Sequence, residues 1–172
     1  MSAALVILVT GLPATGKSRL AGELALRFRI PLIAKDAIKE PLFDVLGQRD
    51  RAWSRSLSDA AFAVAFGLAR TLLLTERPFI LEGNFRPGEH EEALRVLAAQ
   101  APLLQILCVV PETERRARLA ARALESNRHP GHAAPPADTS GANGFLELPG
   151  RRATHDGAGG DAAIDASCLL LA

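Results

Sequence analysis

The chain has 172 residues, 48% of them apolar and 23% charged, a balance that fits one compact soluble domain and not a disordered polypeptide. Lys and Arg total 20 against 19 for Asp and Glu, and so near-neutral a chain argues against broad electrostatic binding to duplex nucleic acid. Two cysteines, Cys108 and Cys168, cannot build a disulfide framework and suit a reduced, cytoplasmic protein. The stretch Ala3 to Val9 is too short to span a bilayer and has no basic flank or cleavage site. Ala60 to Leu74 is interrupted by Gly67 and Arg70 and reads as a buried helix, so no membrane partner is expected.

Taken in order, short apolar runs alternate with longer helical ones. Ala4 to Val9 is a continuous aliphatic run, the pattern of a strand buried on both faces. A helix is predicted over Lys17–Phe28, a short strand over Pro31–Ala34 and a helix over Asp36–Leu46. Trp53 to Leu74 predicts a long helix, with Ser54 and Ser58 as candidate caps near its start. Phe79–Leu81 predicts a third strand, Glu89–Ala99 a helix, Leu103–Val110 a fourth strand and Glu112–Leu124 a helix. Such alternation implies a three-layer α/β/α fold, a mostly parallel sheet of about five strands with helices on both faces. Half of the 14 glycines fall between Gly131 and Gly160, so residues 133–172 read as irregular, with Phe145–Leu148 able to dock on the body. Ile164–Leu171 is the candidate for a last strand.

Gly11-Leu12-Pro13-Ala14-Thr15-Gly16-Lys17-Ser18 fits the phosphate-binding loop pattern G-x-x-x-x-G-K-[ST] in full, between a buried strand and a helix. The glycines let backbone N–H groups turn inward around an anion, and the helix start adds partial positive charge. Lys17 reaches the β- and γ-phosphates of a nucleotide, and the Ser18 hydroxyl coordinates Mg²⁺. Gly11 through Ser18, with Arg19 beside them, are therefore the expected ATP-binding residues. Only three lysines occur, at 17, 35 and 39, and one of them stands at the required position. An Asn-Lys-x-Asp guanine-reading motif is not present.

The chain resembles the small P-loop kinases and kinase-like ATP-binding proteins, a group that includes zeta toxins, chloramphenicol phosphotransferase and polynucleotide 5′-kinases. Four segments carry the likeness: Gly11–Ser18, Ala34–Lys39, Ile80–Phe85, and Arg118-Leu119 with Arg122, followed by Arg128-His129-Pro130-Gly131-His132. The last is similar to bacterial members often called AAA-family ATPases. The resemblance implies one kinase domain with an Arg-bearing lid at about 112–135. It also implies an acidic residue after strand two, here Asp36, that accepts the proton of an attacking hydroxyl. Independently, ligands of a parallel α/β sheet sit at the carboxyl ends of the strands, where Asp36 falls; the alternative is that Asp36 caps the next helix. Glu82 ends the third strand, where a carboxylate can hold a Mg²⁺-bound water or a substrate hydroxyl; a solvated strand end is the plainer alternative. Lys39, Asn84 and Arg86 are assigned with them to the acceptor site.

Arg115, Arg118 and Arg122 share one face of a helix by their spacing. Arg115 and Arg116 read as a solvated face. For Arg118, Arg122 and Arg128 the resemblance implies a lid whose guanidinium groups stabilise the transferring phosphoryl. His129 and His132 have no partner cysteines in metal-ligand spacing and read as shaping the lid. Cys108 reads as a buried thiol in the fourth strand. Ala14 stands where relatives commonly carry glycine, and the tail offers no clear counterpart to the last strand and helix that help relatives hold adenine.

Three functions fit these residues. The first is ATP-dependent transfer to a hydroxyl of a small molecule, catalysed by Lys17, Asp36 and the lid arginines. The second is a kinase for nucleic-acid 5′-hydroxyls, with Arg49, Arg51 and Arg55 on the strand; 5% aromatic content leaves little for base stacking. The third is a nucleotide-binding protein with little transfer activity.

Overall fold

Residues 4–124, 129–130 and 144–163 are described by the computed structural model. The first strand, β1 (Val6–Gly11), is buried along its whole length. Its alternating side chains enter two cores: Val6 and Leu8 face one side of the sheet, Ile7 and Val9 the other. The elements that follow are α1 (Lys17–Phe28), β2 (Leu32–Ala34), α2 (Lys35–Leu46), α3 (Arg51–Leu73), β3 (Phe79–Glu82), α4 (Glu91–Ala98), β4 (Leu103–Val109), α5 (Glu112–Ala123) and β5 (Arg151–Asp156). The strands pair in the order β2-β3-β1-β4-β5, all parallel. This is the α/β sheet the alternation predicts, and β1 is the strand from which the order runs both ways, the place where open α/β sheets take ligands.

On one face, Leu20, Ala21 and Leu24 of α1 pack on Ile7, Val9, Ile80, Leu104 and Ile106. On the other, Phe62, Phe66 and Ala69 of α3 and Leu94 and Leu97 of α4 cover Val6, Leu8, Phe79 and Leu81. Each large aliphatic side chain so buried contributes roughly 1.5–3 kcal/mol. Helix α3 is long and apolar enough by composition to cross a bilayer, yet its apolar stripe from Phe62 to Leu73 lies in this core.

Two expectations about local structure are corrected. The cap of α3 is Asp50, whose carboxylate accepts from Trp53 N–H at 2.8 Å; the helix begins at Arg51, two residues earlier than the apolar pattern suggests, so Ser54 and Ser58 lie inside it. The tail is not irregular throughout either. Residues 151–156, Arg-Arg-Ala-Thr-His-Asp, form the edge strand β5 in register with Leu104–Val109. An edge strand pairs on one side only, so it needs no apolar run, and of these six only His155 is buried. The segment before it docks as anticipated: Leu146 and Leu148 enter the core, and the buried Gln105 amide exchanges two hydrogen bonds with the Leu146 backbone, at 3.1 and 3.3 Å. Ile164–Leu171 and Arg128 lie outside the described residues.

Candidate active site

At the carboxyl end of β1 the chain leaves the sheet through Gly11 and closes on the start of α1. Ala14 and Gly16 both take positive φ, 69° and 89°, which turns the intervening backbone back on itself. Ala14 thus adopts the angle a glycine would take there, at a steric cost of roughly 1–2 kcal/mol. Thr15 does not face a ligand: its hydroxyl donates to the Leu12 carbonyl at 2.8 Å and is buried, holding the loop's shape. Gly16 is the N-cap of α1 and supplies no side-chain acceptor, so the first N–H groups of the helix face the loop's interior as an anion cradle.

Lys17, Ser18 and Glu82 meet at this cradle. The β1–β3 register sets Glu82 beside Val9, just before the loop. The Ser18 hydroxyl donates to Glu82 Oε1 at 3.3 Å, and Lys17 Nζ stands 4.0 Å from the same oxygen. Glu82 is 2% exposed, so the solvated strand end is excluded. Burial pushes its pKa up, while Lys17 and the Ser18 hydroxyl pull the other way. A hydroxyl and a buried carboxylate side by side at a phosphate cradle are the oxygen donors a hard divalent cation takes, leaving its other positions for water and phosphate.

The next strand over brings a second charged group. Helix α2 starts at Lys35 with Ala34 as its N-cap, so Asp36 lies in the first turn and is not the cap. Its Oδ1 accepts from Lys35 Nζ at 2.8 Å. Lys39, one turn on, donates to Ser54 Oγ of α3 at 2.9 Å. Lys35 and Lys39 are each only 6% exposed. Burial, then the neighbouring Lys35, lower the Lys39 pKa, and Asp36 partly offsets them. Glu82 feels the charges of Lys17, Asp36 and Lys35, so the P-loop and the start of α2 form one electrostatic unit. Gly83 lets Phe62 and Lys35 close over the end of β3: a Cβ there would stand 3.2 Å from the Phe62 ring and 3.3 Å from Lys35 Cβ.

Other assigned residues fall further out. Asn84 follows Glu82 and is half-buried. Arg86 turns its guanidinium to Glu89 at 3.5 Å, which Arg55 also contacts at 3.2 Å. Its backbone N–H donates to Nδ1 of His90, a ring packed 4.1 Å from that of Phe62. Arg19 is exposed and pairs with Asp161 at 2.5 Å. Arg49 stacks on Trp53, 4.2 Å from the ring centroid, and Arg51 is exposed.

The arginines of α5 do not behave alike. Arg115 is buried and not on a solvated face: it grips both carboxylate oxygens of Glu112 at 2.7 and 2.9 Å, which holds the Glu112 carboxyl down at about 2. Arg116 remains exposed, at 77%. Arg118 donates to the Ala14 carbonyl at 3.4 Å and to the Gly157 carbonyl at 3.0 Å, braced by Glu114 at 2.5 Å. It thereby clasps the P-loop to the turn after β5. Only glycine permits that approach, since a Cβ on Gly157 would stand 1.9 Å from the Thr15 carbonyl oxygen. Arg122 is exposed. His129 Nε2 lies 3.0 Å from Asp44 Oδ1, joining the end of the α5 region to α2. Cys108 is fully buried, and burial raises its thiol pKa to about 12.

Lys35, Ser54 and Gly157 were not assigned to the site from the sequence, although Lys35 lies in a segment that carries the family likeness and Ser54 read as a helix cap. Lys35 had a signal in the rarity of lysine; the other two are placed by packing alone.

A family model described as an AAA domain matches residues 6–134. Among solved structures, the chain is similar to a Chloroflexus aurantiacus J-10-fl protein provisionally described as a kinase. The two share 33% identity over 99% of this chain and 97% of that one, with a TM-score of 0.88. It has the fold of the Mycobacterium tuberculosis APS kinase solved with AMPPNP and APS, at 18% identity, 99% and 98% coverage and a TM-score of 0.59. A sugar kinase from Janibacter sp. HTCC2649 gives 14% identity, 99% and 95% coverage and the same TM-score, 0.59. No curated protein matches the sequence.

Proposed function

The chain belongs to the AAA-domain family, and from that premise we propose that it is a kinase that moves the γ-phosphoryl of ATP to a hydroxyl of a small molecule. The observation that carries this reading is the joining of two groups at the ends of adjacent strands. One is a phosphate cradle with Lys17, Ser18 and buried Glu82; the other is a carboxylate, Asp36, held beside two lysines. A nucleotide-binding protein without an acceptor has no use for the second group. The kinase names among the similar structures agree with it.

The roles follow from position. The α1 N-terminus and Lys17 hold the terminal phosphates. Ser18 and Glu82 would hold Mg²⁺, which neutralises charge on the β- and γ-phosphates. Asp36 accepts the hydrogen of the acceptor hydroxyl and aims its oxygen at the γ-phosphorus. The new P–O bond forms as the bond to the β,γ-bridging oxygen breaks, ADP leaves, and the hydroxyl proton passes to Asp36 and on to solvent. Because the transition state is loose, orientation matters more than base strength, and the Lys35 ion pair at 2.8 Å helps hold the Asp36 carboxylate in place. The Arg118 clasp ties the turn after β5 to the cradle and so supplies the nucleotide side with the wall that the tail's composition conceals.

ATP consumption with Mg²⁺, measured with and without hydroxyl-bearing acceptors and beside Lys17→Ala, tests the proposal. Acceptor-stimulated turnover that vanishes in the variant is the expected result. Nucleotide binding without turnover under any acceptor would overturn it.

A further inference from the structure

All three lysines of this chain are buried at the site. Lys17 belongs to the phosphates of the nucleotide, which leaves Lys35 and Lys39 to be explained. We propose that the phosphoryl acceptor carries an anionic group, a carboxylate or a phosphate monoester, that docks on Lys39 and Lys35 while its hydroxyl faces Asp36. The proposal deepens the kinase reading and rests on it for the transfer step.

The case begins with counter-charge. Lys35 has Asp36 as its partner at 2.8 Å. Among the described residues, Lys39 is hydrogen-bonded to the neutral Ser54 hydroxyl, at 2.9 Å, and no carboxylate stands within ion-pair distance of it, Asp36 acting on it from farther off. An ammonium group carries three donors, so Lys39 keeps donors to offer. Taking a second cation out of water beside a first one costs stability, and the lowered Lys39 pKa reports that cost. Packing does not require it, since α2 and α3 could be joined there by a neutral pair or an apolar contact. A charge retained against the fold's interest is accounted for by a ligand that completes it.

Position supports the same reading. Lys35 and Lys39 are spaced i, i+4 on α2, so their side chains emerge roughly 5–6 Å apart, a span that a two- or three-oxygen anion bridges. Asp36 lies between them in sequence, and Glu82 with Lys17 lies on the nucleotide side. With phosphates on Lys17 and a cation on Glu82 and Ser18, the described groups at the corner between α2 and the cradle are the Lys35 and Lys39 ammonium groups and the Asp36 carboxylate. An anion neutralises that corner, while a cationic acceptor would meet net repulsion.

The test loads the protein with saturating Mg²⁺ and AMPPNP, which fills the P-loop and removes it as a competing anion site. Thermal unfolding is then followed with glycerol, choline, glycerate and glycerol 3-phosphate, and ATP consumption is measured with the same four compounds. Glycerate or glycerol 3-phosphate should raise Tm and be the better acceptor, and which of the two does so separates a carboxylate from a phosphate. Lys39→Met and, separately, Ser54→Ala should weaken that response, with Lys39→Arg retaining part of it. In Lys39→Met, kcat/KM for the anionic acceptor should fall about 10- to 100-fold, the loss of one charge-assisted hydrogen bond, while AMPPNP affinity, the check on folding, holds. The proposal is overturned by a nucleotide-loaded wild type that ignores both anions, by a Lys39→Met response equal to wild type, or by glycerol or choline serving as well. An anion response lost in Lys39→Met without turnover under any acceptor keeps the anion site and removes the kinase reading. Turnover on glycerol that is unaffected by Lys39→Met does the reverse.

Discussion

The site's two sides are made of different material. Toward β4 and β5, the nucleotide side is main chain: the Gly11–Ser18 turn, the start of α1, and the Ala14 and Gly157 carbonyls clasped by Arg118. Toward β2 and β3, the proposed acceptor side is side chains, with Asp36, Lys35 and Lys39 on α2, Ser54 on α3, and the Lys35 ammonium over the Phe62 ring. A backbone cradle is fixed by φ and ψ and takes any chain of phosphates alike. A corner built from charges is set residue by residue, and in the proposed kinase it is where selectivity for an acceptor would reside.

Three substitutions probe this contrast. The largest effect belongs to Asp36→Asn, which should lower phosphoryl transfer by about 10²–10⁴-fold while ATP affinity stays close to wild type. Steady-state kinetics beside nucleotide titration reads both, and an unchanged kcat would detach the side-chain corner from the chemistry. Arg118→Ala comes next. If the residue is a clasp, KM for ATP rises about 10-fold or more and kcat changes little. If it acts instead on the transferring phosphoryl, kcat and kcat/KM fall together.

The smallest effect is on stability. The Lys39 pKa is lowered in the folded state, so its charged form costs the fold at neutral pH. As pH rises through that lowered value toward the ordinary lysine value of 10.5, the folded state gives up its proton first and the cost fades. Lys39→Met should therefore raise the Tm of the ligand-free protein by on the order of a few degrees at pH 7, with the gain shrinking in alkaline buffer. A variant less stable than wild type at pH 7 would make Lys39 a structural residue.

How much was legible depended on where the information lay. The strand–loop–helix of the P-loop could be read outright, because glycine spacing, Lys17 and the preceding aliphatic run are all local. Asp36 and Glu82 could be placed at strand ends, but not their surroundings: helix α2 begins one residue earlier than Asp36 suggests, and Glu82 is sealed by its neighbours. Strand β5 went unread, since Arg151–Asp156 owes its conformation to pairing with β4 and not to its own composition. Spacing likewise grouped Arg115, Arg118 and Arg122 without separating a buried ion pair, a clasp and an exposed side chain.

By itself the amino-acid sequence determined that this is a parallel α/β protein with a phosphate cradle after its first strand, because hydrophobic periodicity and a glycine-rich turn act over a few residues. Only the tertiary structure decided that three scarce lysines are buried around Glu82 and beside the half-exposed Asp36, and that a turn 142 residues away in the chain touches Thr15 through Gly157. Those outcomes depend on sheet order, register and desolvation, which act between segments that carry no mark of one another in the chain.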